Sequence, residues 1–168
     1  DKEDPHRAAP PGGPGEILAA GPQVMAGYWN RPEADAATFV DGWLRTGDVG
    51  TIDEDGFVRI VDRLKDMIAV GGFKVFPSQV EAMLHHHPAV RDALVIGVPD
   101  AYLGEKVRAY VTLDGEADGE ALRAWLNPQL GKHERVDKVV VRDSLPKTMI
   151  GKLSRKDLIA EVRAAEGW

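Results

Sequence analysis

At 168 residues the chain is long enough to bury a real core, as one domain or as two small ones. Its hydrophobic content of 43% and charged content of 29% are those of an ordinary globular chain, and its net charge of -6 excludes a general nucleic-acid binder, which needs a basic footprint. Without cysteine there is neither a disulfide framework nor a thiolate nucleophile, and no apolar run approaches the roughly 20 residues that span a bilayer.

Residues 1 to 15 carry Pro5, Pro10, Pro11, Gly12, Gly13, Pro14 and Gly15, too many breakers for a helix or a central strand, so this segment reads as linker or loop. The first residue is Asp1 rather than Met, and no signal peptide comes after it, so the chain reads as a fragment of a cytoplasmic protein. Glu16 to Ala20 reads as a strand, followed by a Gly21-Pro22 turn, and Pro32 to Phe39 as a short helix. Asp53-Glu54-Asp55-Gly56 divides two apolar runs, Val49 to Ile52 and Phe57 to Val61, and predicts a solvated hairpin turn.

After Arg63 the pattern changes. Met67 to Val70, Gly71-Gly72 and Phe73 to Val75 predict a second hairpin, its glycines free to take positive φ. Ser78-Gln79-Val80-Glu81 has the form of a capping box, with Val80, Met83 and Leu84 on one face of a helix that Pro88 should stop. Strands are expected at Ala93 to Val98, Val107 to Leu113 and Lys138 to Val141, and helices near Gly119 to Leu126 and over Ser154 to Ala164. Asn127-Pro128 should kink or end the first of these helices. The fold class is therefore α+β, a small strand-rich, β-barrel-like segment followed by a mixed α+β carboxyl-terminal domain.

Several residues carry chemistry. Asp48, in Thr46-Gly47-Asp48 at the expected start of a strand, offers a carboxylate that can accept two hydrogen bonds from a vicinal diol; it is equally a turn residue. The planar fork of Arg63 suits a diol or a phosphate, or a surface ion pair with Asp62 or Asp66. Gly71 and Gly72 let a backbone come close to a ligand, besides turning a hairpin. Lys152 follows Gly151 on a loop before the last helix, where an ammonium can meet a phosphate or carboxylate; Lys147 and Lys156 are its neighbours. His85-His86-His87 cannot converge on one ion, because successive helical residues point about 100° apart, so no metal site is expected. Tyr28, Trp29 and Trp43 read as core or interface packing.

Three motifs occur in order: Gly42-Trp43-Leu44-Arg45-Thr46-Gly47-Asp48, Val61-Asp62-Arg63-Leu64-Lys65-Asp66 leading to Gly71-Gly72-Phe73, and Pro146-Lys147-Thr148-Met149-Ile150-Gly151-Lys152. With Gly21 to Glu33 before them, they resemble the carboxyl-terminal part of the adenylate-forming enzymes: acyl-CoA synthetases, peptide-synthetase adenylation domains and luciferases. Met149-Ile150 looks like the bacterial fatty-acyl-CoA ligase branch. The resemblance covers nearly the whole chain and implies two parts, residues 1–64 ending a large amino-terminal domain and residues 65–168 forming a mobile carboxyl-terminal domain.

The resemblance implies an AMP-forming acid–thiol ligase that uses ATP, Mg2+ (held mainly by the upstream amino-terminal domain) and CoA. Its substrate would be a fatty acid or another small carboxylic acid. Asp48 and Arg63 would then hold the ribose, Lys65 would be a hinge, Gly71 and Gly72 would admit the pantetheine arm, and Lys152 would be the catalytic lysine of adenylation. A lysine acetyltransferase acting on Lys152 would switch that step off. The phosphate loop, adenine site and acyl pocket of the family all lie upstream, so this stretch alone is expected to be inactive. Asp137, where many members have proline, is a departure away from these motifs. Rival readings are an adenylation domain loading a carrier protein, a luciferase-type oxygenase, and a non-catalytic docking module.

Overall fold

The computed structural model describes residues 4–168. The chain divides into two compact units, Asp1–Lys65 and Asp66–Trp168.

The first unit is built on one long strand. β1 (Gly15–Ala19), α1 (Pro32–Thr38), β2 (Phe39–Val40), β3 (Trp43–Ile52) and β4 (Val58–Arg63) succeed one another along the chain, and β1, β2 and β4 all pair antiparallel with β3. These four strands make an open sheet; the barrel-like segment expected from the sequence is not closed among the described residues. Asp41-Gly42 turns β2 into β3 with both residues at positive φ, 49° and 82°, the backbone of a two-residue hairpin loop. The turn after β3 is held by Asp53, whose Oδ1 accepts from the Asp55 and Phe57 amides at 3.1 and 2.8 Å. Tyr28, Trp29 and Trp43 do not pack into a core: Trp29 is 93% exposed and the other two nearly half so.

The second unit contains β5 (Ile68–Val70), β6 (Phe73–Val75), α2 (Pro77–Leu84), β7 (Val90–Asp100), β8 (Gly104–Leu113), α3 (Gly119–Leu126), β9 (Val136–Val141) and α4 (Arg155–Glu166). The sheet runs β6-β5-β8-β7, all antiparallel, with β9 joining β8 in parallel. Helices cover both faces. Val80 and Leu84 of α2 and Leu122 and Leu126 of α3 pack with Val95, Val107, Ala109 and Val111. On the other face Leu158 and Val162 of α4 pack with Leu94, Ile96, Val98 and Tyr110. Burial on both faces explains why Ala93 to Val98 reads as a continuous apolar run rather than an alternating one.

Local signals explain most helix ends, with two corrections. Asp118 caps α3, its Oδ1 accepting from the Ala121 amide at 2.7 Å, and the helix ends before a 3-10 turn at Asn127–Gln129. Asn127 then bridges to β9, exchanging two hydrogen bonds with the backbone of Val136 at 3.0 and 2.8 Å. Ser154 caps α4, and Gly167 at φ 75° closes it. The capping box expected at Ser78 to Glu81 does not form. The α2 cap is Phe76 with Pro77 in the first turn, and Glu81 turns instead to the Val95 amide and Arg155. Nor does Pro88 stop α2. The helix ends at Leu84, because the chain tightens there into turns that bond His86 to Met83 and His87 to Leu84.

Candidate functional site

In the first unit the site begins with a bulge. Asp48 lies in the middle of β3, not at the start of a strand as its glycine implied. The register of β1 on β3 slips between Glu16 opposite Val49 and Leu18 opposite Arg45, so β3 carries the extra residues there. Gly47 takes φ 71°, a conformation glycine adopts without a Cβ clash, and so accommodates the kink just before Asp48. Thr46 Oγ1 donates to the Ile17 carbonyl at 2.7 Å and accepts from the Asp48 amide at 3.1 Å.

On its other side β3 pairs with β4, where Val61 is an extra residue between Asp62 opposite Val49 and Ile60 opposite Gly50. That slip leaves Asp48 directly opposite Arg63, the last residue of β4, with Arg63 Nε 3.2 Å from Asp48 Oδ1. Two motifs separated in sequence thus present an anion and a fork of N–H donors side by side. Neither Asp62 nor Asp66 supplies the Arg63 side chain's ion pair: the Asp62 carboxylate accepts from the Arg63 amide, and Asp66 pairs with Arg155.

Glu16 is a residue that sequence reasoning missed. Its side chain is 4% exposed, and it accepts from Arg45 Nε and Nη2 at 3.1 and 2.9 Å and from the Gly47 amide at 3.2 Å. A charge opening an otherwise apolar strand was the available signal, since a buried carboxylate requires partners. Glu16, Arg45, Thr46, Gly47, Arg63 and Lys65 line a cleft of about 410 Å³. A larger cavity of about 850 Å³ lies against the opening Pro/Gly segment, and none of the predicted site residues lines it.

Lys65 sits in a 3-10 turn, Leu64–Asp66, and the division between the two units falls immediately after it. Beyond it, Gly71 and Gly72 turn β5 into β6 at φ 57° and 83°. The Gly71 amide donates to the Leu103 carbonyl at 2.8 Å, which sets the β7–β8 hairpin beside this turn. A Cβ on Gly71 would lie 3.3 Å from Leu103 Cδ2, whereas one on Gly72 would meet open space. Phe73 stacks on His133, ring centroids 3.4 Å apart. The Asp100 carboxylate caps the neighbouring turn, accepting from the Tyr102 and Leu103 amides at 3.0 and 2.8 Å. Lys106, paired at 2.8 Å, and then those amides hold its pKa down at about 2.

Lys152 stands on a tight turn. Thr148 and Lys152 are joined by their backbones at 2.7 Å, the Lys152 amide also donates to Thr148 Oγ1 at 3.2 Å, and Gly151 takes φ 79°. A bridge between Lys147 and Leu153 and a bond from the Ser154 amide to the Pro146 carbonyl close the stem. Buried Leu145 roots it in the α4 face of the core. Lys147 is drawn to Asp92 at 3.7 Å, but among the described residues no carboxylate pairs with the ammonium of Lys152, which is exposed. At the tip, Met149 and Ile150 are exposed too. The His85 to His87 triplet does not converge: His87 packs edge-on against Trp125 and accepts from the Ala89 amide through Nδ1.

Residues 79–152 match the AMP-binding enzyme C-terminal domain. Over nearly its whole length the chain is similar to the carboxyl-terminal region of adenylate-forming enzymes, and residues 79–152 carry that family's C-terminal domain. It is 47% identical over 149 residues to a long-chain-fatty-acid–CoA ligase of Bacillus subtilis (strain 168), covering 88% of this chain and 27% of that protein. It is 46% identical over 151 residues to a feruloyl-CoA synthase of an Amycolatopsis species, covering 89% of this chain and 31% of the relative. The chain thus spans less than a third of the curated relatives it matches.

Among solved structures, ATP-bound MatB from Rhodopseudomonas palustris superposes with a TM-score of 0.85 at 39% identity, covering 92% of this chain and 31% of MatB. The amide bond synthetase McbA from Marinactinospora thermotolerans gives 0.83 at 41% identity, covering 94% of this chain and 33% of McbA. No helix among the described residues is long and apolar enough to cross a membrane.

Proposed function

We propose that this chain is the carboxyl-terminal part of an AMP-forming acid–thiol ligase. Residues 1–64 end its large amino-terminal domain and residues 65–168 form its mobile domain. A carboxylate oxygen attacks the α-phosphate of ATP, the bond to the β-phosphate breaks, and acyl-adenylate and pyrophosphate result. The CoA thiol then attacks the acyl carbon, expelling AMP and giving the thioester. A cytoplasmic setting fits these co-substrates.

The observation that carries this reading is the exposed ammonium of Lys152, unpaired among the described residues, on a turn pinned at its stem. Attack of one anion on another builds negative charge on the phosphoryl oxygens, and a preorganised cation stabilises that charge. Lys147 is already drawn to Asp92. Asp48 and Arg63 present an acceptor and a donor fork suited to the ribose hydroxyls. Rotation at Lys65 withdraws Lys152 after the first step and brings the Gly71-Gly72 turn to the thiol-binding face, a hinge that needs only a few residues' dihedral change. Mg2+ is expected with the ATP phosphates, on the upstream domain.

The curated relatives favour a fatty or aromatic acid as substrate and CoA as acceptor. The likeness to McbA supports a second reading, in which an amine takes the acyl group. The exposure of Lys152 also makes it accessible to a lysine acetyltransferase, whose product would lack the charge that adenylation needs.

The test uses the full-length protein that contains this chain, with a panel of carboxylic acids. Lys152→Ala is expected to lower carboxylate-dependent pyrophosphate exchange about a hundred- to a thousandfold. It should spare thioester formation from preformed acyl-adenylate and CoA. Lys147→Ala should change exchange by less than about threefold, since it removes only an exposed ion pair. Survival of exchange in Lys152→Ala overturns the reading, and acyl transfer to amines but not to CoA installs the second one.

A further inference from the structure

Arg155, the first residue of α4, donates from all three nitrogens of its guanidinium to groups of the second unit. Nε donates to the Val95 carbonyl at 3.0 Å, Nη1 to Asp66 Oδ2 at 2.9 Å and Nη2 to Glu81 Oε1 at 2.7 Å. The side chains of Arg155, Glu81 and Asp66 are 15%, 15% and 23% exposed. A largely desolvated fork of this kind is a specific, short-range tie rather than a surface pair.

Its position matters more than its strength. Glu81 Oε1 also accepts from the Val95 amide at 2.7 Å, so Glu81 and Arg155 together satisfy the Val95 backbone, which faces away from β8 at the edge of the sheet. That half of the cluster closes the fold. Asp66 takes no part in the closure. It immediately follows Lys65, lies 89 positions from Arg155 in sequence, and is tied to the helix whose N-terminus carries the Lys152 turn only three residues upstream.

We propose that Arg155, through Asp66, is a positioning residue for adenylation. It clamps the base of the Lys152 turn to the chain just past the hinge, so that rotation at Lys65 is delivered to Lys152 without slack. This rests on the reading of Lys65 as hinge and Lys152 as the adenylation lysine. The chemistry is unchanged by it; what the clamp supplies is geometry, and misplacement of a reacting group by about 1 Å can cost on the order of a hundredfold in rate.

Asp66→Ala separates the clamp from the closure, because the bonds of Arg155 to Glu81 and Val95 remain. In the full-length protein the variant is expected to lower kcat for pyrophosphate exchange roughly ten- to a hundredfold. KM for ATP, and thioester formation from preformed acyl-adenylate, should stay within about twofold, since the groups assigned to them lie elsewhere. Hydrogen exchange at the Thr148, Gly151 and Lys152 amides should quicken. In an Arg155→Gln background the same substitution should cost nothing further, because both changes remove one interaction.

Equal losses in both half-reactions, or no loss in either, overturn the proposal and leave Arg155 a purely structural residue. Lys152→Ala, run in parallel, separates the two ideas. If it leaves exchange intact, the functional reading has failed and the catalytic role of the clamp falls with it. Unchanged amide exchange in Asp66→Ala sinks the clamp itself, whatever Lys152 does.

Discussion

Asp48 and Arg63 are cross-strand partners whose side chains meet at 3.2 Å while remaining 30% and 60% exposed. An exposed pair of this kind contributes at most about 1 kcal/mol to stability. Loss of hydrogen bonds from a charged group to a ligand costs more, about 1.5–3 kcal/mol, or roughly ten- to a hundredfold. Asp48→Ala and Arg63→Ala should therefore each lower kcat/KM for ATP by that factor in the full-length protein. Thermal melts should barely move. Large stability losses with unchanged ATP kinetics would make the pair architectural.

Glu16, by contrast, should be felt first in stability. It is nearly buried, with Arg45 and the Gly47 amide as its partners. Glu16→Gln keeps the volume and removes the charge, leaving Arg45 with a weaker acceptor in a poorly solvated place. The expected cost is about 1–3 kcal/mol of stability, read as a lower Tm. Because Glu16 also holds the Gly47 amide, next to Asp48, weaker ATP handling should accompany it, whereas a Tm equal to wild type would show the pair to be dispensable.

The glycine turn separates backbone strain from crowding. Ala at position 72 meets open space, so its cost is the left-handed backbone alone, about 1–2 kcal/mol. Ala at position 71 adds a contact at 3.3 Å to Leu103. Gly71→Ala should therefore melt below Gly72→Ala, and both should slow thioester formation more than pyrophosphate exchange. Equal effects on the two half-reactions would remove this turn from the thiol-binding face.

Asp100 ties stability to acid pH. Lys106, then the Leu103 and Tyr102 amides, lower its pKa from an ordinary 3.8 to about 2 in the folded protein. A depressed carboxyl contributes fully above its unfolded value and loses that contribution as pH falls through the folded one. The Tm difference between wild type and Asp100→Asn should thus be constant from about pH 5 to pH 9 and shrink between about pH 4 and pH 2. At the alkaline end the raised pKa of Lys106, caused first by its bond to Asp100, keeps the pair charged until pH passes beyond the usual lysine value. A difference that does not change down to pH 2 would show that the pair is not formed in solution.

Elements whose signals are local were legible in the sequence. The glycine pair at 71–72 marked its hairpin, the Asp53 to Gly56 cluster its turn, and the spacing of Leu158, Ile159 and Val162 the last helix. These depend on a few neighbouring residues and on φ values that few side chains tolerate. The Asp41-Gly42 hairpin has a local signal too, but the two residues of β2 are too few to show a period, so its first strand was not legible. The likeness to adenylate-forming enzymes was also carried by the sequence, since three motifs in fixed order are short-range patterns, the last of them inside the matched residues 79–152.

What only the tertiary structure decided concerns side chains that meet across long separations. Glu81 looked like half of a capping box, but the edge of β7 and the guanidinium of Arg155 take its carboxylate instead, and the helix starts at Phe76-Pro77 with no side-chain cap. Arg63 had two nearby aspartates in sequence to choose from, yet the slip of β4 on β3 at Val61 brings it Asp48 instead. Lys147 and Lys152 were distinguished by a neighbouring glycine in the sequence. In the folded chain they are distinguished by Asp92, which draws in the first lysine, whereas the second has no carboxylate partner among the described residues. In each case the energy of a charge depends on which partners the fold desolvates beside it, and no spacing rule along the chain encodes that.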